Sequence, residues 1–382
     1  MSKKKVRNIL FVFLLVNGIG CLQPYYPPVS KANTNFLVVD GTIISGQDST
    51  IINLSRTQNI NDSLYYFASI PETGAVVTVV GQNGDTYALI EQSSGRYVAE
   101  ELNLNGNELY RLKIVTSNGS QYLSDSVPVK ISPPIDSVSW QLQSDGGIHI
   151  FVSTHDPLGS TRYYRWQYTE TWEYQAYFFT EYQYLNGSVV LRDTSQFVHN
   201  CWSTNQSSNL FLATSDKLTQ DMIYEDPLTE IPAGSEELSV EYSILVKQYT
   251  MTAEAYQFYQ LLLQNSEQVG SLFSAQPSSL TGNIHNVANP NEPVIGYVGI
   301  SSVAEQRIFI QKPSVWGFIP NVSCAQSLKL VSPDSFAFYF GIGYVPLYPQ
   351  APPGGGYYST FSTCAICTLE GGSNIKPSFW PN

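Results

Sequence analysis

The sequence has little charge, and basic residues are especially scarce. Asp, Glu, Lys and Arg together make up 13% of the 382 residues, about half the share usual in soluble proteins. The chain holds 19 Lys and Arg against 31 Asp and Glu, so its net charge is −12 at pH 7. Binding to nucleic acid needs clustered Lys and Arg that displace counterions from phosphates. This composition therefore excludes nucleic acid as a partner.

Motifs of metal and hydrolytic chemistry are also missing. The sequence contains neither a His-Glu-x-x-His helix motif nor a Gly-x-Ser-x-Gly nucleophile elbow. Its four histidines show no metal-ligand spacing, and its acidic residues show no spacing that identifies an acid/base pair. Those histidines are His149, His155, His199 and His285. We predict that the protein is not an enzyme and has no cofactor or metal site. An envelope hydrolase is the remote alternative.

No apolar run is long enough to span a bilayer, which takes about 20 residues. The unbroken run from Ile9 to Val16 follows a basic segment and precedes Gly18-Ile19-Gly20-Cys21. Residues 1–20 are therefore predicted to be a secretory signal peptide. Cys21 resembles the acylated cysteine of a bacterial lipobox, although Gly18 occupies a position that is usually Leu. An ordinary secretory signal with a coincidental cysteine is the alternative.

Residues 21–34 are predicted to form the lipid anchor and an extended, Pro-rich tether. Removal of residues 1–20 takes away four basic residues and no acidic one, which leaves a net charge of −16. We expect an acidic body held beside the outer membrane through lipidated Cys21. Such a charge suits a body that must not adhere to a negatively charged surface.

Short strands and tight turns dominate the rest of the chain. Between residues 35 and 131, apolar runs alternate with Asn-Gly pairs, which are strong hairpin signals. This pattern predicts an immunoglobulin-like β-sandwich. Consecutive prolines at 133 and 134 predict a linker. Residues 135–382 are predicted to form a larger, mostly β domain with a disulfide-pinned C-terminal tail.

One segment of the second domain has helical periodicity. Thr252 can cap a helix near residues 253–265, and Glu254 lies in its first turn, where the helix dipole favours an acid. Apolar residues at 255, 258, 259, 262 and 263 predict one stripe that packs on the sheet. By contrast, we predict a strand over Phe336–Phe340 and a Pro/Gly-rich surface loop over Tyr344–Tyr358.

Four cysteines remain after Cys21. They are Cys201, Cys324, Cys364 and Cys367. In an oxidising envelope an even number predicts two disulfides, with three possible connectivities. We expect Cys364 and Cys367 each to pair with a distant cysteine, which would pin the C-terminal tail. A direct Cys364–Cys367 bond, a zinc site and a redox pair are the alternatives.

Aromatic residues are the feature that best fits a binding function. Eleven Tyr, Trp and Phe residues occur between 163 and 184, and cross-strand packing in a sandwich core explains most of them. The tyrosines of the Pro/Gly-rich segment are better candidates for an interface, where tyrosine is enriched. These candidates are Tyr344, Tyr348, Tyr357 and Tyr358.

Several short motifs, in this order, resemble a known family. The first domain carries Val38-Val39-Asp40-Gly41, Gly74-Ala75-Val76-Val77, Gly95-Arg96-Tyr97 and Tyr122-Leu123-Ser124. The second carries Tyr163-Tyr164-Arg165-Trp166, Cys201-Trp202, Tyr242–Tyr249, Gln276-Pro277 and Gly282-Asn283-Ile284. The chain ends in Cys364-Ala365-Ile366-Cys367 and a segment from Gly371 to Trp380, the most specific piece. Together they are similar to domain-of-unknown-function family 4249 of Bacteroidetes outer-membrane lipoproteins.

The resemblance implies a role but no catalytic residues. Members of the family tend to be encoded beside TonB-dependent outer-membrane receptors. The implied protein is a non-catalytic accessory or substrate-capture partner of such a receptor, acting on an unknown extracellular ligand. We expect it on the cell-surface face of the outer membrane. A surface structural or adhesive lipoprotein is the alternative.

Overall fold

The computed structural model describes residues 35–58, 69–267, 282–312 and 322–381. The predicted signal peptide, Cys21, the tether and Gln276-Pro277 lie outside these residues. Among the described helices, none is both long and apolar enough to cross a membrane.

Strands account for 48% of the structure and helices for 12%, so the predicted mainly β class is confirmed. The strands are β1 Leu37–Ile44, β2 Thr50–Arg56, β3 Ile70–Pro71, β4 Val76–Gly81, β5 Thr86–Ser93, β6 Arg96–Ala99, β7 Leu109–Val115, β8 Gln121–Ser124, β9 Val127–Lys130, β10 Ile135–Leu142, β11 Ile148–His155, β12 Tyr163–Gln175, β13 Tyr182–Leu185, β14 Ser188–Leu191, β15 Asn200–Gln206, β16 Phe211–Thr214, β17 Met222–Ile231, β18 Glu241–Thr250, β19 Ile284–Asn286, β20 Ile300–Ser301, β21 Val303–Gln311, β22 Lys329–Val331, β23 Tyr344–Pro349 and β24 Tyr357–Phe361. The α-helices are α1 Ala253–Glu267, α2 Val322–Ala325 and α3 Phe336–Gly341. Single 3-10 turns cover Thr194–Gln196, Glu236–Leu238, Pro333–Ser335, Ser362–Cys364 and Cys367–Glu370.

The first β unit consists of β1–β9 together with β19 and β20. Its strands alternate buried and exposed side chains, as in β7, because one face of each strand packs on the core. Asn118-Gly119 turns β7 into β8 with Gly119 at a φ of 86°, as the hairpin signal predicts. Asn105-Gly106 is different, because β6 pairs with β2 and β5 and leaves β7 to pair with β4.

Chain from far along the sequence completes this first unit. Strand pairings run β7-β4-β5-β6-β2-β1-β20-β9, and β9 also pairs with β7, so the pairings close into a ring. Strand β20 lies parallel to β1 and to β9, and β19 extends the sheet beside β8. Residues 284–301 thus cover strand edges that the segment 35–131 would leave unpaired.

The second β unit is a sandwich of two sheets. One sheet has the order β10-β11-β17, and the other has β15-β12-β18-β21 with β16 also paired to β12. Their inner faces share a core that contains fully buried Trp166, Tyr242 and Ile150. The Trp166 indole N–H donates to Gln248 Oε1 at 3.0 Å, which satisfies the one polar atom that the ring brings inside.

Helix α1 matches the prediction from periodicity. The Ala255 N–H donates to Thr252 Oγ1 at 3.3 Å, which is the expected N-terminal cap. Ala255 and Phe258 are buried, whereas the other predicted stripe positions, at 259, 262 and 263, are half-buried. The helix contacts β12 and β16 at the outer face of the second unit.

Candidate binding surfaces

The four cysteines form two disulfides that restrain the C-terminal unit, which comprises β13, β14, β22–β24, α2 and α3; one of them reaches Cys201 in β15 of the second unit. Cys201 pairs with Cys367, and Cys324 pairs with Cys364. Each cysteine of the Cys-x-x-Cys motif is therefore joined to a distant partner, as predicted. Because the four sulfur atoms bond in these pairs, none is a free thiolate that could bind zinc. Cys364 and Cys367 are also not bonded to each other, as the redox alternative requires.

The C-terminal tail also packs on the second unit through hydrogen bonds and aromatic rings. The Tyr174 hydroxyl donates to the Cys367 carbonyl at 2.8 Å, and Trp202 and Ser373 exchange backbone hydrogen bonds. Trp380 is buried against Phe309 and Trp202. The C-terminal tail is thus attached to the second unit at several separate contacts.

Two segments of this unit differ from the predictions. Phe336–Gly341 is a helix and not a strand, because a short apolar run carries no periodicity that separates the two. The predicted loop Tyr344–Tyr358 contains strand β23 and the start of strand β24, which pair antiparallel. Pro346 and Pro349 fit in β23 because it is an edge strand, where a missing N–H costs no ladder bond.

The four candidate tyrosines divide between the two faces of the sheet β22-β24-β23. Tyr348 lies opposite Tyr358, and their rings stack at 5.0 Å. Tyr344 lies opposite Phe361 on the other face, with ring centroids 4.5 Å apart. Tyr357 shares that second face, but its ring packs against Tyr182 and Phe336. The structure therefore does not gather the four tyrosines into one site.

A continuous aromatic surface, which includes only one of the four tyrosines, lies where α3 meets β23 and β24. We call it the aromatic face. It consists of Phe338, Tyr339, Tyr344 and Phe361. Phe338 is 62% exposed and Phe361 is 46% exposed. Phe338 was not predicted as a surface candidate, because a strand over Phe336–Phe340 gave no reason to place it near Tyr344.

One cation lies on this aromatic face. Lys329 Nζ is 4.3 Å from the centre of the Tyr339 ring, and hydrogen bonding to the Tyr339 side chain raises the pKa of the lysine. Lys329 is exposed and forms no ion pair within the described part of the chain. The face therefore combines apolar area with a positive charge that a partner could neutralise.

The crowded aromatics of residues 163–184 are mainly structural. Tyr164, Trp166 and Tyr174 are buried, and each uses its polar atom inside the fold. Tyr164 donates to the buried carboxylate of Asp221, and burial together with this carboxylate raises the pKa of the tyrosine. These residues build the second unit's core, so they do not form a binding surface.

The histidines lie apart from each other. His155 Nδ1 is 2.7 Å from Asp136, and this hydrogen bond raises the pKa of the imidazole. His149 and His285 lie near Glu230 and Asp125, whereas burial lowers the pKa of His199. Among the described residues, no three His, Cys, Asp or Glu side chains are grouped in a way that could hold a metal ion.

The described surface includes two clefts with polar linings. The first, of about 380 Å³, lies beside Asp156 and Asp221, but both carboxylates accept hydrogen bonds from neighbouring groups. Arg162 also lines this cleft and donates to the carbonyls of Ser215 and Leu218. The second, of about 430 Å³, lies between the β1–β2 turn and the outer face of β12 and β18.

Known structures similar to this chain include several modular β proteins. A two-domain fibronectin type III segment of chicken tenascin has 10% identity, covers 56% of this chain and 88% of its own, and gives a TM-score of 0.16. The FN1–FN3 domains of chicken CNTN1 have 13% identity, cover 57% and 62%, and give 0.17. Chitinase ChiA74 from Bacillus thuringiensis has 10% identity, covers 53% and 30%, and gives 0.16. Scores this low carry no weight for fold or function.

No curated protein matches the chain. A family model, described as domain of unknown function (DUF4249), matches residues 23–307. The matched part includes the first β unit and the second as far as the middle of β21, and it ends before the aromatic face and before the motifs from Cys364 to Trp380. It covers most of the chain, and the chain therefore belongs to the DUF4249 family.

Proposed function

We propose that the protein is a non-catalytic Bacteroidetes lipoprotein of the outer membrane that works beside a TonB-dependent receptor as an accessory or substrate-capture partner. The proposal rests on one structural observation, which is the exposed aromatic face. The lipobox-like sequence at Cys21 and the family resemblance add to it.

The aromatic face has the properties of a protein-docking surface. Contiguous exposed apolar area is uncommon on soluble proteins and usually marks an interface. The rings of this face form a row in which each contacts the next, with centroids 4.5–5.5 Å apart, in the order Phe338, Tyr339, Tyr344 and Phe361. Rings that are already fixed lose little entropy on binding, so such a surface suits a stable complex.

The scaffold beneath this face is covalently restrained. Cys324 precedes β22, and Cys364 follows β24. Their disulfide therefore links the two ends of the segment that forms the three-stranded sheet with Tyr344 and Phe361. This restraint supports a docking role because it presents the face in one arrangement.

We also propose that residues 35–131 form an immunoglobulin-like domain and residues 135–382 a second domain, with residues 284–301 returning to the first.

Affinity purification of the tagged, full-length chain from solubilised outer membranes tests the proposal. We expect a TonB-dependent receptor to co-purify, and we expect Phe338→Ser combined with Phe361→Ser to lower its recovery at least fivefold. Leu158→Ser is the matched control, because Leu158 is 86% exposed in a loop of the second unit.

Two results would contradict the proposal. One is recovery of no receptor with the unaltered chain. The other is equal recovery with the aromatic-face variant and the control. A deletion strain with normal nutrient uptake but lost attachment would instead support the adhesive alternative. Fractionation of Cys21→Ala provides a separate check, since loss of the anchor should move the chain to the soluble fraction.

A further inference from the structure

The second cleft has the shape and the chemistry of a ligand site. Its volume of about 430 Å³ lies within the range of about 300–1,000 Å³ that is usual for small-molecule sites. One wall comes from the first unit and contains Ile44, Asp48, Ser49 and Ile51. The other wall comes from the second unit and contains Gln167, Tyr168, Thr169, Gln206, Ser207, Lys247 and Tyr249.

The cleft lies where β12 changes its hydrogen-bonding partner. Residues 163–166 of β12 pair with β16, and residues 169–175 pair with β15. Between them, Ser207 bonds to the backbone of Tyr168 through both its hydroxyl and its N–H. On the other side of β12, Gln167 pairs with Lys247 and Arg165 with Tyr249, so these side chains share one face.

The charges in the cleft are already neutralised. Lys247 Nζ lies 2.6 Å from Asp48 and 3.5 Å from Glu305. Burial opposes the lysine charge most strongly, but the hydrogen bond to Asp48 and the charges of Asp48 and Glu305 together raise the pKa of Lys247. An anionic ligand would have to compete with two carboxylates for this one cation. A short peptide would bring charged ends that find no free partner here.

Neutral polar groups, by contrast, are free. Within the described residues, the side chains of Gln167, Thr169 and Gln206 and the hydroxyl of Tyr249 make no hydrogen bond. Amide and hydroxyl groups both donate and accept, which matches a ligand whose own groups do the same. The Tyr249 ring is held in place by the Arg165 guanidinium, 4.8 Å from its centre.

We propose that this cleft binds a neutral, polyhydroxylated ligand of the size of a short oligosaccharide. Gln167, Thr169, Gln206 and Tyr249 hydrogen-bond its hydroxyl groups, and the Lys247–Asp48 pair closes one side. The proposal rests on the proposed function, because it names the class of substrate that such a capture protein would hold. It differs in location, since the aromatic face lies on the C-terminal unit.

Calorimetric titration of the mature chain carrying Cys21→Ala tests the cleft directly. The probes are maltotriose, cellotriose, xylotriose and mannotriose, with trialanine and citrate as the peptide and anion. We expect saturable binding of at least one saccharide. Gln167→Ala combined with Gln206→Ala should weaken that binding at least tenfold, and Tyr249→Phe should weaken it without altering the ring. Gln82→Ala, an exposed glutamine in the first unit, should leave it unchanged.

Three results would overturn the proposal. They are an absence of saturable binding with all four saccharides, binding that the cleft variants leave unchanged, and tighter binding of trialanine or citrate than of any saccharide. The titration needs no receptor. Its failure is therefore distinguishable from a failed co-purification, which would count against the proposed function alone.

Discussion

Tyr164 and Tyr339 show how surroundings divide one residue type between two uses. Tyr164 is fully buried and gives its hydroxyl to Asp221, so it contributes to the core. Tyr339 is partly exposed and offers its ring to Lys329 and to its aromatic neighbours. Both fit the amphipathic character of tyrosine, an apolar ring with a polar tip. The 26 tyrosines of the chain therefore carry no single functional meaning.

Replacement of a core tryptophan should be costly. Trp166→Ala removes a fully buried ring and leaves Gln248 Oε1 without its donor, so we expect a loss of about 3–5 kcal/mol in the free energy of unfolding. Trp140→Ala is the matched control, since Trp140 is 40% exposed, and its cost should be under half as large. Urea denaturation followed by circular dichroism measures both. Equal midpoints for the two variants would contradict this assignment of the core.

Two histidines should titrate on opposite sides of the usual pKa of about 6.5. The hydrogen bond to Asp136 raises the pKa of His155, and burial lowers that of His199. Because the folded-state pKa of His155 is raised, its contribution to stability is present below the unfolded pKa. That contribution is lost as the pH rises through the folded value.

Titration of the histidine ring signals by NMR measures this order. Asp136→Asn should return the pKa of His155 toward its ordinary value and leave His199 unchanged. A His155 that titrates below His199 would contradict the structure at both positions.

Among the elements, β20 and the segment before it are short but complete the strand pairing of the first unit. Only two residues form β20, yet it joins β1 to β9 and closes the first unit's ring of pairings. Gly296 lies just upstream with a φ of 136°, and the adjacent Ile295 exchanges backbone hydrogen bonds with β1. A side chain at Gly296 would overlap the carbonyl oxygen of Val39.

Gly296→Ala should therefore destabilise the first unit. Backbone strain and the overlap with Val39 together predict a cost of about 1–3 kcal/mol in the free energy of unfolding. Gly299→Ala is a close control, because a Cβ there has no described atom within 4 Å. Thermal unfolding of both variants distinguishes them. If Gly296→Ala were as stable as Gly299→Ala, the packing of residues 284–301 on β1 would be wrong.

Across the whole molecule, the two disulfides restrain loops of different length. Cys201–Cys367 closes a sequence separation of 166 residues, and Cys324–Cys364 closes one of 40. Chain entropy alone predicts stabilisation of about 5 kcal/mol for the longer loop and about 4 kcal/mol for the shorter. The longer bond also joins the C-terminal unit to β15 of the second unit.

Paired Ser substitutions should follow this order. Cys201→Ser with Cys367→Ser should lower the unfolding midpoint more than Cys324→Ser with Cys364→Ser. Pairwise replacement leaves no free thiol to exchange, and unfolding in urea reports the two midpoints. A larger loss from the shorter loop would mean that local packing, and not chain entropy, governs the stability of this region.

Local patterns predicted the elements whose signals lie within a few residues. The cap at Thr252 and the apolar periodicity after it predicted α1, and Asn118-Gly119 predicted the β7–β8 hairpin. The prediction failed at Phe336–Phe340, where a short apolar run fits either a helix or a strand. It also missed β20, because two residues carry no periodicity of their own.

The candidate surfaces were harder to predict than the elements. Tyr344 was identified as a binding candidate, but Phe338 and Lys329 were not, because the three residues come together around Tyr339 only after α3 folds over β22–β24. No pattern in the sequence predicted the second cleft. Its walls at Asp48 and Lys247 are 199 positions apart, and nothing in either segment marks the other.

The amino-acid sequence by itself predicted the mainly β class, the position of α1 and two disulfides, because these follow from residue type, spacing and count. It also predicts a signal peptide over residues 1–20, directly before Cys21, and this stays a prediction. Tertiary structure alone decided which cysteines pair, which tyrosines are exposed and which polar groups converge in the cleft. Those outcomes depend on contacts between segments tens to hundreds of residues apart, and the free energy of such contacts is set by packing that no local pattern encodes.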